Sequence, residues 1–179
     1  MRPYRVEYVQ LNGWESTLNG LWLAENAEWL LLRYVPVDYV VDGYVLVAKA
    51  HIAARGSEKK HRQVAQVLKL KGVKAAVPLA FQFAGLLETF RWLEQRYGLL
   101  HFYEEEQCAI LGWVNEADAV HFWLDSLEPT GLVAAREPDE PPFEIAAVQV
   151  VCFADDYSES LKLLWQHKQR RKLLKPSDN

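Results

Sequence analysis

The chain has 179 residues, half of them apolar and 12% aromatic, with a formal net charge of −4. Such a composition excludes a disordered polymer and is ample for one packed core or two small ones. No apolar run reaches the ~20 residues of a membrane helix, and the start, Met-Arg-Pro-Tyr-Arg-Val-Glu, holds no apolar signal segment, so a cytoplasmic protein without membrane association is expected.

Tyr4–Leu11 alternates well enough for a strand, and Asn12-Gly13 marks the turn after it. Thr17–Leu23 and Glu28–Val35 are further strands, separated by Glu25-Asn26 and ended by Pro36. Asp42-Gly43, between Tyr39-Val40-Val41 and Tyr44–Val47, is the strongest hairpin signal. From it, Tyr44–Ala54 reads as one long, mostly apolar strand. Ser57 is the expected cap of a helix whose stripe is His61, Val64, Ala65 and Leu68, with Gly72 as its stop. Leu86, Phe90, Leu93 and Tyr97 give a second helical stripe, ended by Gly98. Strands are expected again at Leu99–Tyr103, Cys108–Val114, Ala119–Leu124 and Phe143–Phe153, with a proline-rich loop at 136–142. Asp156, with Glu159 three residues on, reads as the cap of a last helix carrying Leu161, Leu164 and Trp165. Residues 176–179 are expected to fray.

Two stretches repeat one another. Residues 20–32 run Gly-Leu-Trp-Leu-Ala-Glu-Asn-Ala-Glu-Trp-Leu-Leu-Leu, and residues 112–124 run Gly-Trp-Val-Asn-Glu-Ala-Asp-Ala-Val-His-Phe-Trp-Leu. Each opens on glycine, carries an early tryptophan and passes through a polar turn into an apolar run, so two copies of one small β unit are expected. Strands fall in two blocks and do not alternate with helices, which argues against a parallel α/β sheet. The division expected is 1–80, a first unit with its helix, and 81–179, a helix, a second unit and the final helix, packed as one body.

In the first block, Gly20, the Asn/Glu turn, Trp29–Leu32, the Asp42-Gly43 hairpin and a last strand running into Arg55-Gly56 resemble an Sm-like, SH3-type small barrel. In the second block, Gly112, Val120–Leu124 and Ile145–Phe153, running into Asp156-Tyr157 and a leucine-rich helix, resemble a pattern in uncharacterised bacterial proteins. The resemblance implies an α+β fold, mainly β: two Sm-like, SH3-type antiparallel small barrels with intervening and C-terminal helices.

Motifs for chemistry are sparse. No phosphate-binding glycine loop, nucleophile elbow or paired Cys-x-x-Cys occurs, and the five histidines are isolated, so no catalytic residue, metal or cofactor is expected. Cys108 and Cys152 lie in apolar runs and read as buried thiols. Charge is uneven. Residues 49–74 hold eight basic side chains against one acidic, while 88–144 hold thirteen acidic against three basic.

Three functions follow in order of expectation. The first is a non-catalytic binding or scaffold protein, joined to an unknown protein partner or to itself through edge strands. The second binds RNA or single-stranded nucleic acid through the basic segment. The third is an enzyme with its site between the two barrels, which a polar pocket with clustered His and acidic residues would favour. Candidate contact residues are Arg55, Lys59, Lys60 and Arg62, together with Trp14 beside a turn and Trp92 off the apolar stripe.

Overall fold

A computed structural model describes residues 4–134, 136 and 139–174, without the side chains of 172–174. Residues 1–3 and 176–179, and residues 137 and 138 of the expected proline-rich loop, lie outside the described residues.

The strands are β1 (Val6–Leu11), β2 (Thr17–Glu25), β3 (Trp29–Tyr34), β4 (Tyr44–Ala48), β5 (Ile52–Gly56), β6 (Leu100–Tyr103), β7 (Ala109–Ala117), β8 (His121–Ser126), β9 (Phe143–Glu144) and β10 (Val150–Phe153). The helices are α1 (Lys59–Leu70), α2 (Leu86–Tyr97) and α3 (Asp156–Leu174). The fold is α+β and mainly β. Instead of two separate sheets, the strands form one antiparallel sheet in the order β5-β1-β2-β3-β4-β10-β6-β7-β8-β9. The first five places and the last five follow the same internal rule: a four-strand meander whose fifth strand returns to pair with the first. β4 and β10 join the two sets.

The long strands expected at 44–54 and 143–153 are each broken by a single 3-10 turn, at Lys49–His51 and Ile145–Ala147. The turn has a topological job. β4 pairs with β3, whereas β5 pairs with β1, so the chain must leave one edge and cross to another. The second half does the same between β9 and β10. β2 and β7 each carry a bulge, past Trp22 and past Val114, two residues after Gly20 and Gly112 respectively. A Cβ on Gly20 would sit 2.6 Å from Leu32 Cβ, and one on Gly112 would run into the Asp125 backbone, so both strands need glycine where the neighbouring strand presses closest.

Asp42-Gly43 does not make a two-residue hairpin; residues 35–43 form a longer loop, closed by Asp42 N–H donating to Tyr34 O. Glu58, not Ser57, caps α1, in a reciprocal box with His61: the Glu58 N–H donates to His61 Nδ1 at 3.0 Å. α3 is capped by Asp155 and not by Asp156, since Asp155 Oδ1 accepts the Ser158 N–H at 2.9 Å. Cys108 is exposed in the turn before β7, and only Cys152 is buried.

One core cluster draws on both halves. It packs Leu21, Leu31 and Leu46 of the first sheet region, Leu68 of α1 and Phe90 of α2 against Phe102, Phe122 and Phe153 of the second. Side chains of this size contribute about 2 kcal/mol each when fully buried. Val73, Ala75 and Val77 of the connecting segment pack on the same cluster. On the other sheet face Val9, Leu30, Leu32, Val45, Val47, Val150 and Cys152 form a second cluster. β3 is therefore covered on both sides, which is why Leu30, Leu31 and Leu32 do not alternate with polar residues. α3 lies on a third cluster through Leu161 and Trp165, whose ring stands 4.8 Å from that of Trp113. Among the described residues no helix is long and apolar enough to cross a membrane.

Candidate functional site at the seam of the two halves

The β4–β10 junction places side chains from both halves on one surface. Register sets Val45 opposite Cys152 and Val47 opposite Val150. The next pairing sets Cys152 opposite His101 and Val150 opposite Tyr103. Because side chains alternate along a strand, His101 and Tyr103 share a face. Loops around this row close it into a pocket of about 330 Å³. Trp14, Ser16, Tyr34 and Asp42 contribute from the first half, and His101, Tyr103, Glu106, Cys152, Asp155 and Tyr157 from the second.

The floor is a buried polar network. His101 Nδ1 lies 3.0 Å from Ser158 Oγ and 3.3 Å from Asp155 Oδ1. The Ser158 hydroxyl donates to Asp155 Oδ2 at 2.7 Å, so its lone pairs are left to accept the Nδ1 proton. Nδ1 thus faces Ser158 and Asp155, while Nε2 lies 3.0 Å from the Tyr103 hydroxyl. Burial pushes the Asp155 carboxyl up, but the hydrogen bonds and charge of His101, with the bonds from Ser158, outweigh it and hold the group below the usual carboxylate range. Burial, followed by the neighbouring Cys152, Tyr34 and Asp155, raises the Tyr103 phenol. Tyr34 is raised in the same way, by burial and then by Cys152, Asp42 and Asp155. The Cys152 thiol is raised by burial and then by Asp155 and Asp42. All three stay protonated at neutral pH.

The rim is tied across the seam. Glu106, in the turn after β6, accepts the Ser16 N–H at 2.9 Å and also the Glu15 N–H and the Ser16 hydroxyl, in the turn after β1. These donors hold its carboxyl below the usual range, the Ser16 hydroxyl first. Asp42 Oδ1 accepts the Asp156 N–H at 2.8 Å, pinning the loop before β4 to the start of α3. Gly43 is required beside it. Its φ is +60°, and a Cβ there would stand 2.5 Å from Phe153 O.

Of the residues expected from sequence to make contacts, Trp14 lines this pocket, its ring 6.0 Å from that of Tyr103. The others are elsewhere. Arg55 forms a two-pronged pair with Glu25, both contacts at 3.0 Å, and Lys49 joins at 2.8 Å. Lys59, Lys60 and Arg62 are exposed on α1, but Lys60 borders a cleft with Asn19 and Asp38 while Arg62 borders another with Tyr4 and Lys69. Trp92 packs its ring 5.3 Å from Phe81 and 6.0 Å from Phe153.

His101, Tyr103, Asp155 and Ser158 are the residues that sequence reasoning missed. His101-x-Tyr103 at strand spacing was a visible signal for one shared face; the approach of α3 was not. Among the described residues no three His, Cys, Asp or Glu side chains group to hold a metal ion. No protein-family model, curated protein or solved structure matches the chain.

Proposed function

We propose that the protein is a non-catalytic binding protein whose ligand seat is the seam pocket. The observation that carries this reading is a cavity of about 330 Å³ lined from both halves over a floor whose polar groups are already engaged with one another. Its volume falls at the lower end of small-molecule sites, room for a compact ligand or one or two side chains of a peptide. A saturated floor holds shape, and it leaves the aromatic faces and the rim carboxylates to meet the ligand.

An enzyme with its site between the halves is the second reading, favoured by the His101–Asp155 pair. Geometry weighs against it: both imidazole nitrogens are taken within the chain, and the Cys152 thiol is kept protonated by burial. We also read each half as a small barrel of the Sm-like type. That reading is supported by the repeated strand order, the 3-10 turn before each fifth strand and the matched glycine and bulge in each second strand. Two free thiols, one of them exposed, suit the reducing cytoplasm.

A fragment screen followed by NMR tests the binding reading. Bound compounds are expected to shift the Trp14 indole and His101 ring signals. Hits that move only the α1 face would transfer the function to the basic surface.

A further inference from the structure

Resting on that reading, we propose that the seam pocket takes an organic cation, an alkylammonium group. Four aromatic rings stand around the cavity: Trp14, Tyr34, Tyr103 and Tyr157. Three carboxylates share it: Asp42, Glu106 and Asp155. Among the described residues no lysine or arginine lines it. Aromatic faces present negative charge density, so rings and carboxylates act in the same direction.

Asp155 is already engaged, with the His101 ring at 3.3 Å and both Ser158 donors on its oxygens. Asp42 and Glu106 are not matched: among the described residues neither has a lysine or arginine within 4 Å, whereas Glu25, Glu116 and Glu159 each do. Their hydrogen bonds come from neutral donors, which fix the carboxylates in place without cancelling their charge. They also come from opposite banks, Asp42 from the first half and Glu106 from the second. The raised Tyr34 phenol and Cys152 thiol fit this picture, since after burial both feel the negative charge of Asp42 and Asp155. An anion would meet two uncompensated charges. A hard metal ion would need six or more converging oxygens, and among the described residues no three His, Cys, Asp or Glu side chains group to hold one. An alkylammonium satisfies both halves of the lining, with methyl or methylene groups against the rings and charge toward the carboxylates.

The ammonium can be a free small molecule or the end of a lysine side chain on another protein. Titration with choline, with a trimethyl-lysine peptide and with 3,3-dimethylbutan-1-ol, the uncharged isostere of choline, separates these cases, with the Trp14 indole signal as readout. The cations are expected to bind at least about tenfold more tightly than the isostere. Tighter binding of the peptide identifies a protein side chain as the source, and tighter binding of choline a free ligand. Asp42→Asn and Glu106→Gln should each weaken the cation about tenfold. Tyr157→Leu, at an exposed ring, gives a third arm if the Asp42 variant folds poorly. Equal binding of the isostere at the same signals overturns the cation and leaves the binding reading standing. If neither cation shifts the pocket signals at millimolar concentration, while fragments of other chemistry do, the cation proposal again fails alone. Silence of those signals to every compound removes both.

Discussion

His101 and Asp155 are 54 residues apart in the chain, yet their imidazole and carboxylate stand 3.3 Å apart with 4% of each residue exposed. One residue closes the core of β6, the other caps α3, and together they make the floor of the seam pocket.

Asp155→Ala removes the cap of α3 and the partner of a buried imidazole at once. The expected loss is about 2–4 kcal/mol, because a cap is worth about 1 and depriving a buried polar group of its partner about 1–3 more. Urea denaturation measures it. A loss below about 0.5 kcal/mol would mean that the two groups are not coupled in solution.

Gly43→Ala should destabilise by about 2 kcal/mol or more, since it combines positive φ with backbone contacts at 2.5 and 2.6 Å. The same variant should shift the Asp155 and Ser158 amide signals. A Gly13→Ala control has positive φ but open space around it, so it should cost less, and equal losses would deny the close approach of Gly43 to the Phe153–Asp155 backbone.

Glu25 is held down to about 2, first by the Arg55 hydrogen bonds and against burial, with Lys49 adding. A depressed carboxylate stabilises the fold fully above its unfolded value near 4.5, and that contribution is lost as pH falls toward 2. The stability gap between the unmodified protein and Glu25→Gln should therefore be widest above pH 5 and close toward pH 2. A gap independent of pH would show that the carboxylate charge does not matter.

Glu7 should behave in the opposite way. Burial raises its carboxyl more than Arg5 and Arg55 lower it, and its Oε1 has no hydrogen-bond partner. Its ionisation costs stability as pH rises above the usual carboxylate value. Glu7→Gln is expected to match or exceed the unmodified protein in Tm at pH 7, and a fall of several degrees would show that the ion pair with Arg5 dominates.

The basic segment should not hold generic single-stranded RNA at physiological salt. Arg55 is committed to Glu25, and Lys60 and Arg62 face different clefts, so few charges can track one phosphate backbone. Micromolar or tighter binding, abolished by reversing Lys59, Lys60 and Arg62 to Glu, would overturn this.

Helical stripes and strand positions were legible in the sequence because hydrophobic period is a local property. Leu86, Phe90, Leu93 and Tyr97 predict α2, and all four pack against the core. Gly20 and Gly112 mark equivalent places in the two halves for a reason the sequence only hints at, the approach of β3 and β8. The breaks at Lys49–His51 and Ile145–Ala147 carry no turn signal, since neither stretch contains Gly or Pro. The joining of the halves was equally hidden: Tyr44–Ala48 and Val150–Phe153 read as strands, but nothing local says that they pair. The site depends on that pairing, so Trp14 was found as an isolated turn residue while His101 and Asp155 were not connected.

The β4–β10 junction also governs what each half could be alone. Four of the five β4 residues and all of β10 are buried. Cutting the chain between the halves would turn both into unpaired apolar edges, open templates for another strand. The outer edges are less sticky: β9 has two residues, and the middle of β5 is two exposed alanines beside Arg55. Each half thus shields the aggregation-prone border of the other, and fragments made separately should precipitate where the whole chain stays dispersed.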